Sequence, residues 1–483
     1  MADTTQLADF VIAANRLPVD RDPNPEGDNR WRTSPGGLVS AMLPVMHIRQ
    51  GAWVGWAGEP DVETEPFRTD DGLEVHPVQL HTHEIRDYYE GFSNGTLWPI
   101  YHDVITEPEF HRRWWASYRD VNERFARTIA AIAAPGATVW VHDYQLQLVP
   151  ALLRELRPDV RIGWFCHIPF PPVELFAQLP WRAPLLRGLL GADFVGFQLP
   201  SDARNFIRAC RSLLGATSKG DVVTWPGSDD GELGGIQRIT RASAVPISVD
   251  FGGLESLAMT VQAQERASAM RASLGNPKAV MLGVDRLDYT KGLRHRLRAI
   301  SELLADGAID PAEVAIVQVA TPSRERVAAY QRLRSQVERM VGRINGEFAN
   351  MGQTPVHYLH QSYPRDEMAA MFQAADVMLV TPLRDGMNLV AKEYVTCRHD
   401  LGGALVLSEF AGAAAELNAA YTCNPHDIVG MKRAILTALH EDPGARRRRM
   451  RTMRRRVRSN DVHTWAKMYL EALEFAPAKP PRE

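Results

Sequence analysis

A loop in the second half of the chain places two cations directly after an apolar, strand-like run. The loop Asp285–Gly292 (DRLDYTKG) follows the run Ala279–Val284 and precedes a helical pattern. Arg286 and Lys291 therefore converge at one strand end. A guanidinium fork and an ammonium together suit a diphosphate whose negative charge grows as it departs. Ion pairing with the two aspartates of the same loop is the alternative, and this loop alone does not decide between them.

A second loop, Pro382–Glu393 (PLRDGMNLVAKE), follows the apolar run Val377–Thr381. A helix is predicted from Leu389, so free backbone N–H groups and the positive end of a helix dipole would face the same cleft as the first loop. Asp385 could hold sugar hydroxyls, and Glu393 could accept hydrogen bonds from a ribose. Complementing the helix dipole is the alternative role for both carboxylates.

Other chemical fingerprints are absent or stand in the wrong context. The chain has no GxGxxG and no GxxxxGK[ST], so neither the usual dinucleotide loop nor a P-loop is supported. Gly91–Gly95 matches the GxSxG nucleophile elbow, but a polar segment precedes Ser93 and a proline-containing one follows it, which excludes the strand–turn–helix that an elbow needs. His81 and His83 would share one face of a strand, yet no third ligand accompanies them, so we expect no metal site.

A run of arginines lies between Arg446 and Arg458 and could indicate a nucleic-acid contact. Met450, Met453 and Val457 recur within it at helical spacing, which predicts a surface helix with a narrow apolar stripe. We expect no nucleic-acid partner.

The elements that must position these loops alternate between short apolar runs and amphipathic stretches, the pattern of βα units around parallel sheets. Two separate α/β sheets are implied. The expected strands are Asp9–Asn15, Ala52–Trp56, Thr138–His142, Arg161–His167 and Asp193–Phe197 in the first, and Ala279–Val284, Val314–Ala320, Val356–Leu359, Val377–Thr381 and Ala404–Leu407 in the second. The clearest helices are Phe110–Ala133, Leu146–Leu156 and Asp202–Leu214.

The domains are expected at residues 1–250 and 251–460, with a last segment, 461–483, forming a helix that packs back on the first domain and then a frayed tail. Val245–Asp250 (VPISVD) is predicted to be a last strand running into a Gly-Gly turn, which places the boundary near Gly252. Ser218–Gly235 and Val19–Asn29 are predicted to be long loops.

Composition excludes several classes. The 483 residues carry a formal net charge of −3, with 45% hydrophobic and 23% charged residues, so neither a disordered chain nor a basic polyanion binder fits. The four cysteines form no CxxC pair, which favours a reducing compartment. No signal peptide and no membrane-spanning stretch is apparent. We expect a cytoplasmic protein without a membrane partner.

Taken together, the two loops resemble the donor-site signatures of the trehalose-6-phosphate synthase family. The resemblance extends in order and spacing from about Asp9 to the final helix. It includes the motifs NRLP (15–18), GGL (36–38), WVGW (53–56), LWP (97–99), WVHDY (140–144) and HIPFP (167–171).

This resemblance implies an α/β fold with two Rossmann-like domains that face each other across a cleft, the B-type glycosyltransferase fold. It implies a retaining transfer of glucose from a nucleotide diphosphate glucose to glucose 6-phosphate, forming α,α-trehalose 6-phosphate. The two substrates are small molecules, no cofactor or metal is needed, and a homo-oligomer, dimer or tetramer, is expected. Which base the nucleotide carries stays open.

The matching positions also imply site residues. The catalytic set is Asp143, His167, Arg286, Lys291 and Asp385. The donor-binding set is Gly36, Gly37, Arg286, Lys291, Asn388, Leu389, Val390, Ala391, Lys392 and Glu393. The acceptor-binding set is Arg16, Tyr89, Trp98, Asp143 and Arg324. Taken singly, Trp98 would be read as core packing, Tyr89 as a surface aromatic and His167 as a structural histidine.

Three other functions compete with this one. A related transferase would use another phosphorylated acceptor, such as glycerol 3-phosphate. A catalytically silent, sugar-phosphate-sensing regulator would share the fold, but the presence of Arg286, Lys291, Asp385 and Glu393 argues against it. A nucleic-acid-binding role through the arginine run is the weakest alternative.

Overall fold

The computed structural model describes residues 7–21, 31–34, 39, 42–43, 46, 51–70, 72–227 and 237–477. Their contacts divide the chain into two compact units. Unit 1 comprises Met1–Pro246 and Trp465–Glu483, and unit 2 comprises Ile247–Thr464. The sequence placed the change of domain near Gly252, and in the structure it falls at Pro246.

Unit 1 is built on a ten-stranded sheet in the order β10-β11-β12-β9-β8-β7-β1-β4-β6-β5. The run from β12 to β6 is parallel, and the pairs β10–β11, β11–β12 and β5–β6 are antiparallel. Central strands such as β4 are buried at every residue, because both faces of the sheet are covered and each strand must be apolar throughout. The strands are β1 Ala8–Arg16, β4 Ala52–Trp56, β5 Phe67–Arg68, β6 Glu74–Pro77, β7 Ala133–His142, β8 Arg161–Phe165, β9 Phe194–Phe197, β10 Thr217–Lys219, β11 Val222–Trp225 and β12 Arg238–Ala244, with a separate hairpin of β2 Val19–Arg21 and β3 Trp31–Thr33.

The helices of unit 1 pack apolar faces on this sheet. Arg112–Ile132 buries Tyr118, Val121, Phe125 and Ile129, which lie three or four residues apart. The helices are Thr82–Glu84, Ile85–Leu97 (a π-helix), Trp98–Tyr101, Arg112–Ile132, Tyr144–Leu146 (3₁₀), Val149–Leu156, Val173–Phe176, Arg182–Leu190 and Pro200–Leu214, and the last helix, Val462–Glu474, begins at the end of unit 2.

The final helix joins unit 1 through two aromatic residues. Trp465 donates its indole N–H to the Val245 carbonyl at 3.0 Å, and its ring lies 5.1 Å from that of Trp140 on β7. Tyr469 stacks on the same Trp140 ring at 4.1 Å. The end of the chain is thus buried against the strand that leads to the Asp143 loop.

Unit 2 is built on a six-stranded, wholly parallel sheet in the order β15-β14-β13-β16-β17-β18. Its strands are β13 Ala279–Arg286, β14 Val314–Thr321, β15 Val356–Leu359, β16 Val377–Val380, β17 Ala404–Ser408 and β18 Tyr421–Cys423. Its helices are Phe251–Ala258, Val261–Ser273, Tyr289–Lys291 (3₁₀), Leu293–Ala305, Ala328–Phe348, Arg365–Ala374, Leu389–Cys397, Gly412–Ala415 (3₁₀), Ile428–His440 and Pro443–Ser459.

Both predicted sheets and all ten predicted strands are confirmed, with ends that shift by a few residues at most except in β7, which begins five residues early. The predicted strand Val245–Asp250 is wrong. The Val245 N–H still donates to the Phe197 carbonyl of β9 at 2.8 Å, but residues 245–250 form no strand. Asp250 instead caps the helix Phe251–Ala258 by accepting a hydrogen bond from the Gly253 N–H at 2.9 Å. The expected Gly-Gly turn is therefore the first turn of a helix.

Three further expectations are corrected or confirmed. The segment from Ser218 is not simply a loop, because residues 217–225 form the β10–β11 hairpin, while residues 228–236 lie outside the described part. His81 and His83 are not on a strand, since a short helix begins at Thr82. The arginine run does form a helix, Pro443–Ser459, with Met450, Met453 and Val457 buried.

The segment around the GxSxG motif is a π-helix, Ile85–Leu97, in which Ser93 is fully buried. A side chain on Gly91 would meet the ring of Trp114 at 2.6 Å, so this position requires glycine. The motif therefore serves packing, and the rejection of a nucleophile elbow is confirmed. The predicted Val19–Asn29 loop is wrong in its first three residues, which form β2, and its residues 22–29 lie outside the described residues. Residues 478–483 of the expected tail also lie outside them.

Candidate functional site

In unit 2, three adjacent strands bring the predicted donor residues to one edge of the sheet. The order β14-β13-β16 is parallel, so the segments that follow these strands meet at their carboxyl ends. Arg324 follows β14, Arg286 ends β13, and Asp385 follows β16. The parallel topology therefore gathers residues that lie up to 99 positions apart, from Arg286 to Asp385.

The two signature loops are bonded to each other. The Leu383 N–H donates to the Thr290 carbonyl at 2.7 Å. Gly292, with φ of 69°, passes so close to Thr381 that a Cβ atom would lie 2.2 Å from its carbonyl oxygen. Only glycine meets both conditions, a left-handed backbone and no side-chain volume.

Lys291 and Asp385 form an ion pair at the centre of this edge. The Lys291 ammonium lies 2.6 Å from Asp385 Oδ2, and both side chains are close to nine-tenths buried. Asn388 donates its amide to the same oxygen at 3.0 Å. The sequence assigned Lys291 to the diphosphate and Asp385 to the transferred sugar, and the structure places the two groups in contact.

Pairing within the first loop, the alternative left open by the sequence, is not what occupies Lys291. Asp285 instead forms a buried ion pair with Arg296 at 2.6 Å. Asp288 is fully buried, and it accepts hydrogen bonds from Thr290, from Arg324 at 3.1 Å and from the Tyr330 hydroxyl at 3.0 Å. The ion pair of Lys291 is thus with Asp385 and not with an aspartate of its own loop.

The charge balance at this edge is positive. Burial alone would raise the pKa of Asp288, but the neighbouring charges of Arg324, Arg286 and Lys291 lower it to about 2. Three cations therefore act on the buried Asp288 carboxylate, and one of them, Lys291, also pairs with Asp385. An anionic ligand is the group that such an arrangement can accept.

The helix Leu389–Cys397 begins at the same edge. Asn388 has a left-handed backbone, with φ of 72°, and its side-chain oxygen caps the helix by accepting from the Ala391 N–H at 3.3 Å. The N–H groups of Leu389 and Val390 have no hydrogen-bond partner among the described residues. These N–H groups lie at the helix end where the sequence predicted that phosphate oxygens would bind.

The side chains of Lys392 and Glu393 lie in different environments. The Lys392 ammonium is fully buried, where it donates to the Ile247 carbonyl and to Glu416, each at 2.7 Å, so only its backbone is available to a ligand. Burial raises the pKa of Glu393, and only the charge of Arg365 opposes this shift. Burial therefore destabilises the ionised form of Glu393, and a hydrogen bond donated by a hydroxyl would stabilise it.

In unit 1, the strands β1, β7 and β8 are neighbours and likewise end at one edge. Arg16 ends β1, Asp143 follows β7, and His167 comes two residues after β8. Asp143 has a positive φ of 73°, a conformation rarely held by residues other than glycine, and its carboxylate accepts from the His167 N–H at 3.1 Å. The structure brings Asp143 and His167 together.

Tyr89 and Trp98 belong to the helical segment that covers this edge. Tyr144 donates its hydroxyl to Asn94 Oδ1 at 2.8 Å, and Asn94 donates to the Tyr89 carbonyl at 2.7 Å. The Trp98 ring lies 5.6 Å from that of Tyr144 and stacks on His102, with little exposure to solvent. Most of the Trp98 side chain is therefore covered by packing contacts, whereas Tyr89 is half-buried.

Arg16 and Arg324 were predicted to bind the acceptor phosphate. Arg16 forms an ion pair with Asp20 and lies over the Trp56 ring at 4.9 Å, with 42% of its side chain exposed. Arg324 is buried against Asp288, and its backbone is left-handed, with φ of 49°. The two arginines lie in different units, and Gly36 and Gly37 lie outside the described residues.

Four residues that hold the site residues in place were not among the predicted site residues: His142, Tyr144, Asp288 and Tyr330. Two of them had a signal in the sequence, because His142 and Tyr144 flank Asp143 at the end of an apolar strand. The pairing of Tyr330 with Asp288 spans 42 positions, and no signal in the sequence indicated it.

Some arginines of the arginine helix form ion pairs within unit 2. Arg454 and Arg458 both pair with Glu255, and Arg449 pairs with Glu441. Within the described ranges, no group of three or more histidine, cysteine or acidic side chains could hold a metal ion. In the same part of the chain, all four cysteines are buried and free, and no helix is long and apolar enough to cross a membrane.

Two α/β units, each with polar residues gathered at the carboxyl edge of a parallel sheet, define the class of B-type glycosyltransferases. The chain belongs to this class by sequence as well. Residues 8–475 match the model of glycosyltransferase family 20, and the protein is a member of that family.

The relatives agree with one another. The chain is 57% identical to the trehalose-6-phosphate synthase of Mycobacterium tuberculosis (strain ATCC 25618 / H37Rv), over 98% of this chain and 96% of that protein. Its fold matches an α,α-trehalose-phosphate synthase (UDP-forming) from Burkholderia xenovorans in complex with glucose-6-phosphate (TM-score 0.86, 34% identity, 96% of this chain and 99% of that chain). It also matches a structure from E. coli bound with UDP-2-fluoro glucose (TM-score 0.87, 32% identity, 97% and 100%).

Proposed function

We propose that this protein transfers glucose from a nucleotide diphosphate glucose to glucose 6-phosphate and releases α,α-trehalose 6-phosphate. One observation carries the assignment: Arg286, Lys291 and the start of the helix Leu389–Cys397 converge at one sheet edge, where an activated sugar needs its diphosphate held. Identity of 57% to a named trehalose-6-phosphate synthase supports it. Uridine is the proposed base, because the Burkholderia relative is UDP-forming.

The proposed mechanism retains the anomeric configuration. The acceptor hydroxyl attacks the anomeric carbon on the face from which the diphosphate leaves, and a leaving phosphate oxygen takes its proton. No protein nucleophile is needed in this scheme. Arg286, Lys291 and the helix N–H groups stabilise the charge that develops on the departing diphosphate, which is the main catalytic contribution of the protein.

The remaining residues orient the two sugars. Asp385, held by Lys291 and Asn388, accepts hydrogen bonds from hydroxyls of the transferred glucose. His167 of unit 1 contacts the same sugar. Glu393 accepts the ribose hydroxyls. Arg16, Tyr89, Trp98, Asp143 and Arg324 bind glucose 6-phosphate.

We further propose that no metal or other cofactor takes part, since the cations of unit 2 can neutralise a diphosphate. Activity should survive exhaustive chelation, and an absolute need for an added divalent ion would contradict this. The free buried thiols favour the reducing cytoplasm as the location. A homo-oligomer, dimer or tetramer, is the proposed state, and light scattering measures it.

The stereochemical test uses proton NMR of the first-formed product. An α-linked donor should give an α linkage at the transferred glucose. A β linkage would contradict the same-face mechanism but would not affect the donor-binding assignment.

A further inference from the structure

A direct ring-to-ring hydrogen bond joins His142, the last residue of β7, to His167. His142 Nδ1 lies 3.0 Å from His167 Nε2. The strand register explains this contact, because His142 is paired with Phe165 and His167 follows two residues later, on the same face. His142 is completely buried, whereas His167 is partly exposed.

Both rings are neutral. Burial holds the pKa of His142 well below its usual value, and the neighbouring His167 lowers it further. Burial likewise lowers the pKa of His167 to about 3. Each ring therefore carries one proton, and one ring must donate to the other across the 3.0 Å contact.

The surroundings of His142 decide which ring donates. Its second nitrogen, Nε2, is buried and has no hydrogen-bond partner within the described part of the chain. The ring packs against Trp140, at 4.9 Å between centroids, and Phe165, at 6.5 Å. A buried N–H without an acceptor costs more than a buried lone pair, so the His142 proton belongs on Nδ1. His142 is then the donor and His167 Nε2 the acceptor.

We propose that His142 is a positioning residue that fixes His167 as the Nδ1–H tautomer, so that His167 presents a donor to a hydroxyl oxygen of the transferred glucose. The role toward glucose rests on the proposed function, but the tautomer does not. His167 Nδ1 has no hydrogen-bond partner among the residues that the structure describes, which leaves it available to a ligand.

The backbone of His167 is already held, so the ring is what remains to be fixed. Its N–H donates to Asp143 Oδ1 at 3.1 Å, and its carbonyl oxygen is 3.5 Å from the Gln198 amide. These bonds set the position of the main chain but not the protonated nitrogen. Among the described residues, only the contact with His142 selects the tautomer, as in metal sites where a second group fixes which histidine nitrogen is free.

The first test measures the tautomer in the ligand-free protein by ¹⁵N–¹H correlation NMR with labelled histidine. His142→Asn and His167→Gln variants identify the two rings among the 15 histidines. The expected result is protonation at Nδ1 in both rings. A His167 protonated at Nε2, with His142 as its acceptor, would overturn the proposal whatever reaction the enzyme performs.

The second test uses substitution. Asparagine places an amide N–H where His142 has Nδ1, whereas phenylalanine keeps the ring without a donor. In His142→Phe we expect kcat to fall by about 10- to 100-fold with a smaller change in the KM for donor, and in His142→Asn we expect most of the activity to return. In a His167→Gln background the His142→Phe change should add little, because the two act as a unit.

The control is His76→Phe, which removes another buried histidine ring, one bonded to Glu74 on β6. It should leave kcat nearly unchanged. Equal losses in His76→Phe and His142→Phe, or no rescue by asparagine in a folded protein, would reduce His142 to a packing role. Wild-type protein that forms no trehalose 6-phosphate would refute the proposed function and leave the tautomer result standing.

Discussion

Replacing Lys291 with alanine tests the donor site most sharply, because its ammonium lies at the centre of the unit 2 edge. The Lys291–Asp385 contact is 2.6 Å long and nearly excluded from solvent, so little screening weakens it. A charge-assisted hydrogen bond is worth roughly 1.5–3 kcal/mol, about 10- to 150-fold, in the ground state. A contact that strengthens with the developing diphosphate charge is worth about 10²- to 10³-fold in rate. We expect Lys291→Ala to lose turnover in the second range.

The assay is initial-rate formation of the disaccharide phosphate at saturating donor and acceptor, alongside calorimetry with UDP. The matched control is Lys278→Ala, since Lys278 precedes β13 at its opposite, amino end and pairs with Glu313 at the surface. Thermal unfolding of both variants shows whether the loss reflects folding. Turnover within about threefold of wild type in folded Lys291→Ala, or an equal loss in Lys278→Ala, would refute the reasoning.

Three further predictions concern the acceptor, the ribose contact and pH. Arg16→Ala should narrow the preference for glucose 6-phosphate over glucose by about 10- to 100-fold in kcat/KM and leave UDP affinity unchanged; an intact preference would remove Arg16 from the acceptor site. Burial raises the pKa of Glu393, so its ionisation destabilises the folded protein above that pKa. Glu393→Gln should therefore raise the melting temperature at pH 7–8. It should also lower the affinity for UDP, as measured by calorimetry. Folding lowers the pKa values of His142 and His167, so the protein takes up protons when it unfolds in acid. The free energy of unfolding should therefore decline as pH falls below about 6.5, by roughly 1.4 kcal/mol per pH unit for each of the two histidines. Melts of His142→Asn should show a shallower decline between pH 6 and 4, and an unchanged slope would contradict the burial argument.

Arg324 is a poorer probe of the acceptor phosphate than Arg16. Its side chain is buried against Asp288, so its removal would leave a carboxylate uncompensated in the core, which costs about 3–5 kcal/mol when a buried pair is broken. A loss of activity in Arg324→Ala would therefore mix instability with acceptor binding. Arg16, paired with Asp20 and partly exposed, avoids this problem.

The sequence predicts these strands well because they lie in the parallel parts of the two sheets, where both faces are covered. Buried strands such as Ala52–Trp56 and Val377–Val380 are continuous apolar runs, and their carboxyl ends locate the loops that carry Arg286, Asp143 and Asp385. The same rule fails at Val245–Asp250. That segment is apolar and β-branched, but whether it joins a sheet depends on a neighbouring strand, which local pattern does not reveal.

The contacts within the site could not be read from the sequence for the same reason. The Lys291–Asp385 pair spans 94 positions and the Tyr330–Asp288 bond spans 42, so only the folded sheet order brings them together. Positive φ at Asp143 and Asn388 was not predicted either, because Asp and Asn adopt this conformation more often than most residues but still only in a minority of cases. The edge strands β5 and β10 have two and three residues, too few for an alternating pattern to be seen.

Incubation of the purified protein with UDP-glucose and glucose 6-phosphate, with proton NMR and mass analysis of the product, tests the central claim most directly. A parallel reaction with glycerol 3-phosphate controls for acceptor identity. The account predicts α,α-trehalose 6-phosphate and UDP in equal amounts, with little product from glycerol 3-phosphate. Hydrolysis of UDP-glucose without a disaccharide phosphate, or faster transfer to glycerol 3-phosphate, would contradict it.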